Sequence, residues 1–367
     1  MILMNDFRAE SKELSDSMLL AAERVIRSGW FILGKELQNF ESEWAKKCGV
    51  SNAIGVGNGM DAIEIALRSL EIGPGDEVIT TPMSAFATVL AIHRAGATPV
   101  LADIESETAL LSIDSVKRCI SKKTKAIILV HLYGQLSDMN KWVDFCNTEN
   151  IFLIEDCAQA HLANSKKKFA GSFGIAGAYS FYPTKNLSAL GDAGALITND
   201  KMIASKAIKL RNYGQNERYF HSDLGMNSRL DEIQAAILLE RLKWLDKFTK
   251  RRKEIAYIYN KEISNSNITL LKEPMTEESH VYHLFVVTCS ERDLLQKHLE
   301  ANDIQSLIHY PIPFHLQDPC LSINRDPNGL RVSEDHSRKC LSLPCHPQMS
   351  EEDISIVIDT VNSFKTA

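Results

Sequence analysis

Short apolar runs alternate with helical patterns between residues 52 and 200. Strands are predicted where four to seven apolar or β-branched residues lie together, and helices where apolar residues recur every three or four positions. The predicted strands are 53–56, 77–80, 98–102, 125–130, 151–154, 178–181 and 193–198, and the predicted helices are 61–70, 84–95, 113–120 and 138–149. This alternation is typical of an α/β fold, a mostly parallel sheet flanked by helices on both faces.

The pattern changes near residue 229. Residues 229–263 have helical spacing without Pro or Gly, which indicates one long helix or two joined helices. Beyond residue 268, the predicted strands 281–288 and 305–308 mix with the predicted helices 290–301 and 350–364. Five of the eleven prolines lie in 309–347, so that stretch is predicted to be mostly loop. We therefore predict a large domain over 14–245 and a smaller C-terminal α+β domain over 246–367, with residues 1–13 packed beside it.

Composition and charge narrow the class of protein. The chain has 367 residues, and its 41 basic and 47 acidic side chains give a net charge of −6. This charge disfavours nucleic acid as the main partner, because phosphate neutralisation requires a basic surface. No apolar run approaches the roughly 20 residues of a membrane span. The eight cysteines form no CxxC pair and indicate reduced thiols in a core, so we expect a cytoplasmic protein without a metal site.

Three motifs are candidates for chemistry. The glycine loop 55–59 follows a predicted strand and opens a helix, Asp156 ends a strand, and Lys185 follows another strand. Each has a structural explanation as well: a tight turn, a helix cap and a solvated surface lysine. Together they form the minimal set for pyridoxal 5′-phosphate, namely a phosphate cradle, an acid for the pyridinium nitrogen and a lysine for the carbonyl.

The sequence resembles the DegT/StrS sugar aminotransferases, which are fold-type-I pyridoxal 5′-phosphate enzymes acting on nucleotide-linked ketosugars. The resemblance runs nearly end to end. It rests on the ordered motifs GNGMDA (57–62), GPGDEVIT (73–80), VHLYGQ (130–135), EDCAQAH (155–161), SFYPTKNL (180–187), GDAGALIT (191–198), RNYGQ (211–215) and NSRLDEIQAA (227–236).

The resemblance assigns roles around the cofactor. It implies that Lys185 is the Schiff-base lysine and proton shuttle, that Asp156 pairs with the pyridinium nitrogen, and that Gln159 approaches the phenolic oxygen. We expect a depressed pKa at Asp156, provided that the charge of the cofactor outweighs the cost of burial. The remaining cofactor contacts implied are Phe86 stacked on the ring, and Ser180 with the backbone of Gly59 and Met60 at the phosphate.

The resemblance also implies a homodimer with shared sites. Asn227 matches an asparagine that reaches the phosphate of the neighbouring subunit in the family. The side chains implied to border the sugar and nucleotide are Tyr182, Arg218, His309 and Tyr310.

Two positions depart from the family pattern. Met60 replaces a threonine that binds the phosphate, and a bulky apolar residue there resembles the branch that aminates 3-keto-6-deoxyhexoses. Leu162 replaces a common glycine. We therefore expect amination of a 3-keto-6-deoxyhexose linked to dTDP, with glutamate or glutamine as amino donor.

Other functions are alternatives. A 4-keto-6-deoxyhexose is the alternative substrate, and a non-catalytic binding or regulatory protein on the same fold is the alternative class. A pyridoxal 5′-phosphate sugar dehydratase is disfavoured, because those relatives replace the lysine by histidine. A nicotinamide-dependent oxidoreductase is disfavoured because its glycine fingerprint is broken at Met60.

Overall fold

The computed structural model describes residues 1–365. Helices occur along the whole of this range. The helices are α1 (Lys12–Ser28), α2 (Lys35–Cys48), α3 (Gly59–Ser69), α4 (Ala87–Arg94), α5 (Ile113–Cys119), α6 (Met139–Glu149), α7 (Lys201–Leu210), α8 (Glu232–Leu242), α9 (Leu245–Glu262), α10 (Arg292–Ala301), α11 (Arg331–Lys339) and α12 (Glu351–Ser363). Within residues 1–365, no helix is both long and apolar enough to cross a membrane.

The strands belong to one large sheet, one small sheet and two short hairpins. They are β1 (Asn52–Val56), β2 (Glu77–Thr80), β3 (Thr98–Leu101), β4 (Thr124–Val130), β5 (Phe152–Asp156), β6 (Asn164–Ser165), β7 (Lys168–Phe169), β8 (Ala176–Ser180), β9 (Gly194–Thr198), β10 (Gln215–Glu217), β11 (Phe220–His221), β12 (Thr269–Leu270), β13 (Phe285–Thr288), β14 (Asn324–Arg325) and β15 (Cys340–Leu343). The large sheet has the order β1-β9-β8-β5-β4-β2-β3-β14, and only β9 runs antiparallel to its neighbours.

The large sheet is buried on both faces, as the alternating pattern predicts. In β4, Ile127 and Leu129 face a core that includes α2 and α6, whereas Ala126 and Ile128 face a core that includes α3. Successive side chains of a strand point to opposite faces, so a strand between two helical layers is apolar at every position. The predicted α/β fold class, a mostly parallel sheet flanked by helices, is therefore confirmed.

The C-terminal part has its own core between α9, α10, α12 and the antiparallel sheet β12-β13-β15. The predicted helical stretch 229–263 is two helices, because the chain tightens into i→i+3 bonds at Lys243 and Trp244. The predicted strand 281–288 begins only at Phe285, since Tyr282 has a left-handed backbone with φ 45°. The predicted strand 305–308 is wrong, because it forms only the isolated bridge Leu307–Ser342.

The prediction that 309–347 is mostly loop is also wrong for much of its length. It contains β14, α11 and β15, and β14 extends the large sheet in parallel with β3. Buried Asp103 accepts hydrogen bonds from the backbone N–H groups of Val332 and Ser333, each at 2.9 Å, at the start of α11. Arg118 donates to both carboxylate oxygens of buried Asp326. Two buried carboxylates therefore fix this C-terminal segment to the large sheet.

The domain boundary near residue 245 and the place of residues 1–13 stay predictions. Two backbone bonds nevertheless join the N-terminus to the C-terminal part: Ile2 N–H donates to Asp303 O at 2.7 Å, and Gln305 N–H donates to Ile2 O at 2.9 Å.

Candidate active site

The glycine loop lies at the carboxyl end of β1, at the start of α3. Asn58 caps this helix, and its side chain accepts from the Asp61 N–H at 2.9 Å. Gly59 packs against the end of β8, where an added Cβ would lie 2.8 Å from Cβ of Ser180. Only glycine allows this approach, which brings the first turn of the helix against the backbone and Cβ of Ser180. Free N–H groups at a helix N-terminus favour an anion such as a phosphate.

Asp156 is the last residue of β5 and lies buried at the same edge of the sheet. Its carboxylate accepts from Thr88 Oγ1 at 2.9 Å and from the Ala158 N–H at 3.1 Å. Burial raises the pKa of Asp156, and these hydrogen bonds and the Lys185 cation oppose that shift. In the protein alone, burial therefore outweighs the favourable partners. The depressed pKa stays a prediction for the protein with a bound cation at this position.

Lys185 follows β8 in a turn closed by its N–H, which donates to Tyr182 O at 2.8 Å. The side chain is half-buried, and desolvation lowers its pKa from 10.5 to about 8, while the charge of Asp156 opposes the shift. An amine with this pKa is partly neutral near neutral pH. It is thus a competent nucleophile toward a carbonyl, unlike a solvated lysine.

Gln159 is buried between Tyr133 and Tyr310. The Tyr133 N–H donates to Gln159 Oε1 at 2.6 Å, and Gln159 Nε2 donates to Tyr310 Oη at 3.1 Å. These two bonds fix the orientation of the amide. His309, next to Tyr310, is half-buried, and its Nδ1 forms a hydrogen bond with Ser342 Oγ at 2.8 Å. Burial lowers the pKa of His309 to about 4.

The other predicted site residues differ in exposure. Phe86 is half-buried just before α4 and makes an edge contact with Phe314, with 5.7 Å between ring centroids. Tyr182 is 51% exposed, and Met60 is half-buried in the first turn of α3.

Two predicted residues face solvent. Arg218, between β10 and β11, lies over the ring of Tyr219 at 5.1 Å, and among residues 1–365 no hydrogen bond or ion pair joins it to the residues above. Asn227 is exposed, but its neighbour Ser228 is buried and accepts from the Gly57 N–H at 3.0 Å. The segment before α8 is therefore tied to the glycine loop, while the Asn227 side chain remains accessible.

Tyr133 and His161 were given no role from the sequence, although both lie in quoted motifs. His161 bonds through Nε2 to Ser180 O at 3.0 Å, within an aromatic cluster with Tyr179 and Phe181. Both are polar side chains within nearly apolar motifs. This pattern could have indicated them from the sequence, since buried polar groups need hydrogen-bond partners.

His131, Glu155 and Cys157 form the one group within the described residues whose ligand atoms could together hold a metal ion. The Glu155 carboxylate is already engaged. It bonds to His131 Nε2 at 2.9 Å and accepts from three backbone N–H groups, those of Gly171, Phe173 and Gly174. This cluster holds the loop between β5 and β8 in place.

Leu162 occupies the left-handed region, with φ 64°, and its side chain is buried in the core. Glycine would relieve a strain of about 1–2 kcal/mol, but a buried Leu truncation costs about 2–5 kcal/mol. We expect Leu162→Gly to lower the free energy of unfolding by about 1–3 kcal/mol in denaturant titrations. Leu162→Ala keeps the strain and should be less stable than Leu162→Gly. The reverse order would contradict this explanation.

The chain matches known proteins along almost its whole length. The family model described as "DegT/DnrJ/EryC1/StrS aminotransferase family" matches residues 12–362. A dTDP-3-amino-3,6-dideoxy-α-D-galactopyranose transaminase of Aneurinibacillus thermoaerophilus is 43% identical over 364 residues, covering 99% of each chain. A protein of Geobacillus stearothermophilus named "pleiotropic regulatory protein" is 39% identical over 363 residues, covering 98% of each chain.

Solved structures agree with these matches. The structure of DesV from S. venezuelae in complex with a ketimine intermediate is 39% identical, has a TM-score of 0.94, and covers 99% of this chain and 97% of that one. The structure of NtdA from Bacillus subtilis with bound cofactor PMP is 30% identical, has a TM-score of 0.89, and covers 96% of this chain and 82% of that one. The chain belongs to the DegT/DnrJ/EryC1/StrS aminotransferase family and is a transaminase.

Proposed function

We propose that this protein uses pyridoxal 5′-phosphate to convert a dTDP-linked 3-keto-6-deoxyhexose into the 3-amino sugar, with glutamate as amino donor. The observation that carries this proposal is that Lys185, whose pKa is lowered to about 8, and the buried carboxylate of Asp156 follow neighbouring strands at one edge of the sheet and influence each other's charge. A lysine nucleophile and an acid for the ring nitrogen are the protein groups that this cofactor requires.

The residues present fit the cofactor. The cradle at Gly59, closed to any larger residue by Ser180, and the N-terminus of α3 suit a phosphate. Met60 supplies only its backbone N–H, which replaces the hydroxyl that the family usually has. Asn227 would add its amide from the neighbouring subunit. When bound, the cofactor supplies a reactive carbonyl and a protonated ring that withdraws electrons from the reacting carbon.

The roles of the side chains follow from their surroundings. Lys185 would hold the cofactor through its amine, and the same amine would carry a proton to and from the reacting carbon of the substrate. Asp156 would hold the proton of the ring nitrogen through its carboxylate. Gln159, fixed by Tyr133 and Tyr310, has a second amide N–H to donate to the phenolic oxygen. Phe86 would stack on the ring, which excludes water from one of its faces.

The sugar class is supported by the relatives. The relative from A. thermoaerophilus is named for a dTDP-linked 3-amino-3,6-dideoxy sugar, and it covers 99% of this chain. Tyr182, Arg218, His309 and Tyr310 are the side chains proposed to border the sugar and the nucleotide.

Side-by-side assays of dTDP-linked 3-keto-6-deoxyhexose and 4-keto-6-deoxyhexose with glutamate would test the substrate. We expect the 3-keto sugar to be aminated at least tenfold faster, with the product distinguished by NMR. Preference for the 4-keto sugar would replace the proposed substrate but keep the reaction class.

A second candidate is a regulatory role, which the name of the Geobacillus stearothermophilus relative favours. A purely regulatory protein has no need of a lysine with a lowered pKa. Glutamate should convert the cofactor to its amine form, bleaching the visible absorbance of the lysine-linked cofactor. Persistence of that absorbance with glutamate would favour the regulatory role.

We further propose a homodimer in which each site takes Asn227 from the other chain. A two-fold interface places the same segment of each chain at the site of the other. Mixing inactive Lys185→Ala chains with Asn227→Ala chains should restore some activity, because a heterodimer holds one site with both lesions and one with neither. Lys185→Ala mixed with Asp156→Asn is the control, since both lesions affect residues of one chain's own site. An active monomer in sedimentation would contradict the shared site.

A further inference from the structure

We propose that Tyr133 is a positioning residue that fixes the sugar-facing pair His309–Tyr310 relative to the cofactor-facing Gln159. This inference rests on the proposed function and names a residue that determines binding of the sugar. Tyr133 is fully buried in the short turn near the end of the 130–135 motif, and it forms hydrogen bonds with four separate segments of the chain.

The backbone of Tyr133 provides the cofactor side of this link. Its N–H donates to Gln159 Oε1 at 2.6 Å, and its carbonyl accepts from the Leu284 N–H at 3.2 Å. These bonds hold Tyr133 in the left-handed region, with φ 62°. A bulky residue persists there only when its surroundings fix it, as they do here from both sides.

The hydroxyl of Tyr133 provides the sugar side. It lies 2.5 Å from His309 O and 2.9 Å from His336 Nε2. The carbonyl can only accept, so the single hydroxyl hydrogen points to His309 O. Burial lowers the pKa of His336 to about 4, so its ring is neutral and must carry its hydrogen on Nε2 to donate to the Tyr133 oxygen.

These bonds form a continuous path. His336 lies in α11, which Asp103 holds against the large sheet, and it donates to the Tyr133 hydroxyl, which in turn donates to the carbonyl of His309. Tyr310, the next residue, accepts from Gln159 Nε2. Tyr133 therefore sets the distance between Gln159, proposed to contact the cofactor, and the pair His309–Tyr310, proposed to contact the sugar.

The test is Tyr133→Phe, which removes the hydroxyl and keeps both backbone bonds. A lost hydrogen bond of about 1–1.5 kcal/mol corresponds to a roughly fivefold to tenfold change in a binding constant. We expect the KM for the nucleotide sugar to rise by this factor, whereas kcat and the KM for glutamate should change less than twofold. The Kd of dTDP-sugar product, measured by calorimetry on the purified protein, should rise in parallel.

Tyr259→Phe is the matched control, because Tyr259 is also fully buried and its hydroxyl donates to the carbonyl of Pro344 at 2.9 Å, in the core of the C-terminal part. Both variants should lose similar thermal stability, but only Tyr133→Phe should change sugar binding. The proposal would be overturned if the two variants had equal KM and Kd for the sugar. It would also be overturned if Tyr133→Phe slowed the half-reaction with glutamate as much as the half-reaction with the nucleotide sugar. An inactive parent protein would instead refute the proposed function.

If Tyr133→Phe does not fold, His336→Leu removes the second bond of the same hydroxyl and should raise the sugar KM in the same direction. An unchanged sugar KM in folded His336→Leu would then overturn the proposal.

Discussion

Lys185→Ala should abolish transamination while leaving the fold intact. The alanine has no amine to bind the cofactor carbonyl or to carry the proton, so both half-reactions should fall to the background rate. The visible absorbance of the lysine-linked cofactor should disappear as well. Circular dichroism and sedimentation should match those of the parent protein. The lysine is only half-buried, and its backbone N–H, which donates to Tyr182 O, is still present in the alanine variant. A Lys185→Ala protein with the activity of the parent would overturn the assignment of the site.

Replacing Lys185 by an uncharged residue of similar length should also change the stability of the cofactor-free protein. The folded pKa of Lys185 is about 8, whereas the usual value is 10.5. The charged lysine therefore opposes folding below about pH 8, and this cost disappears as the pH rises toward 10.5, where the amine is neutral in both states. We expect Lys185→Met to be more stable than the parent at pH 7 in denaturant titrations, with the difference shrinking above pH 8. A difference independent of pH would contradict the lowered pKa.

The large sheet was predictable because its central strands are largely continuous apolar runs, as in β4. Residues 126–129 alternate between two cores, so burial on both faces leaves a continuous apolar run that marks the strand. The C-terminal segment was less predictable. Helix α11 buries Ser333, His336 and Ser337 rather than an apolar face, and Asp103, 230 residues away along the sequence, caps it. No local periodicity indicates a helix that is stabilised in this way.

The candidate site also has a part that the sequence predicts and a part that depends on contacts between distant residues. Its glycine loop, acid and lysine end three strands whose carboxyl ends meet at one edge, so their proximity follows from the parallel order of the sheet. The link from Gln159 to Tyr133 and His309 depends on contacts between residues up to 176 positions apart. Only the motif around Tyr133, not its role, could be found from sequence. Leu162 also needed the structure, because the left-handed backbone that explains glycine in the family is set by the fold.

Asp156→Asn should reduce kcat by about two to four orders of magnitude, because breaking a buried charge pair costs about 3–5 kcal/mol. Asparagine is nearly isosteric: its oxygen can accept from the Ala158 N–H, and its NH2 group can donate to the Thr88 hydroxyl, whose own hydrogen can then turn to Ser84 Oγ at 3.0 Å. The fold and the covalent bond at Lys185 should therefore survive, so the visible absorbance should persist. The loss falls on the chemical step, since an uncharged partner no longer holds the proton on the ring nitrogen.

The pH profile separates this explanation from a general disturbance of the site. Lower pH should partly restore the activity of Asp156→Asn, because bulk protons then replace the missing charge in protonating the ring. Asp103→Asn is the matched control: Asp103 is also buried and accepts from backbone N–H groups and from the Ser333 hydroxyl, but it holds α11 rather than the cofactor. That variant should lose stability and keep kcat within about tenfold of the parent. An Asp156→Asn enzyme with the kcat of the parent would show that another group holds the ring proton.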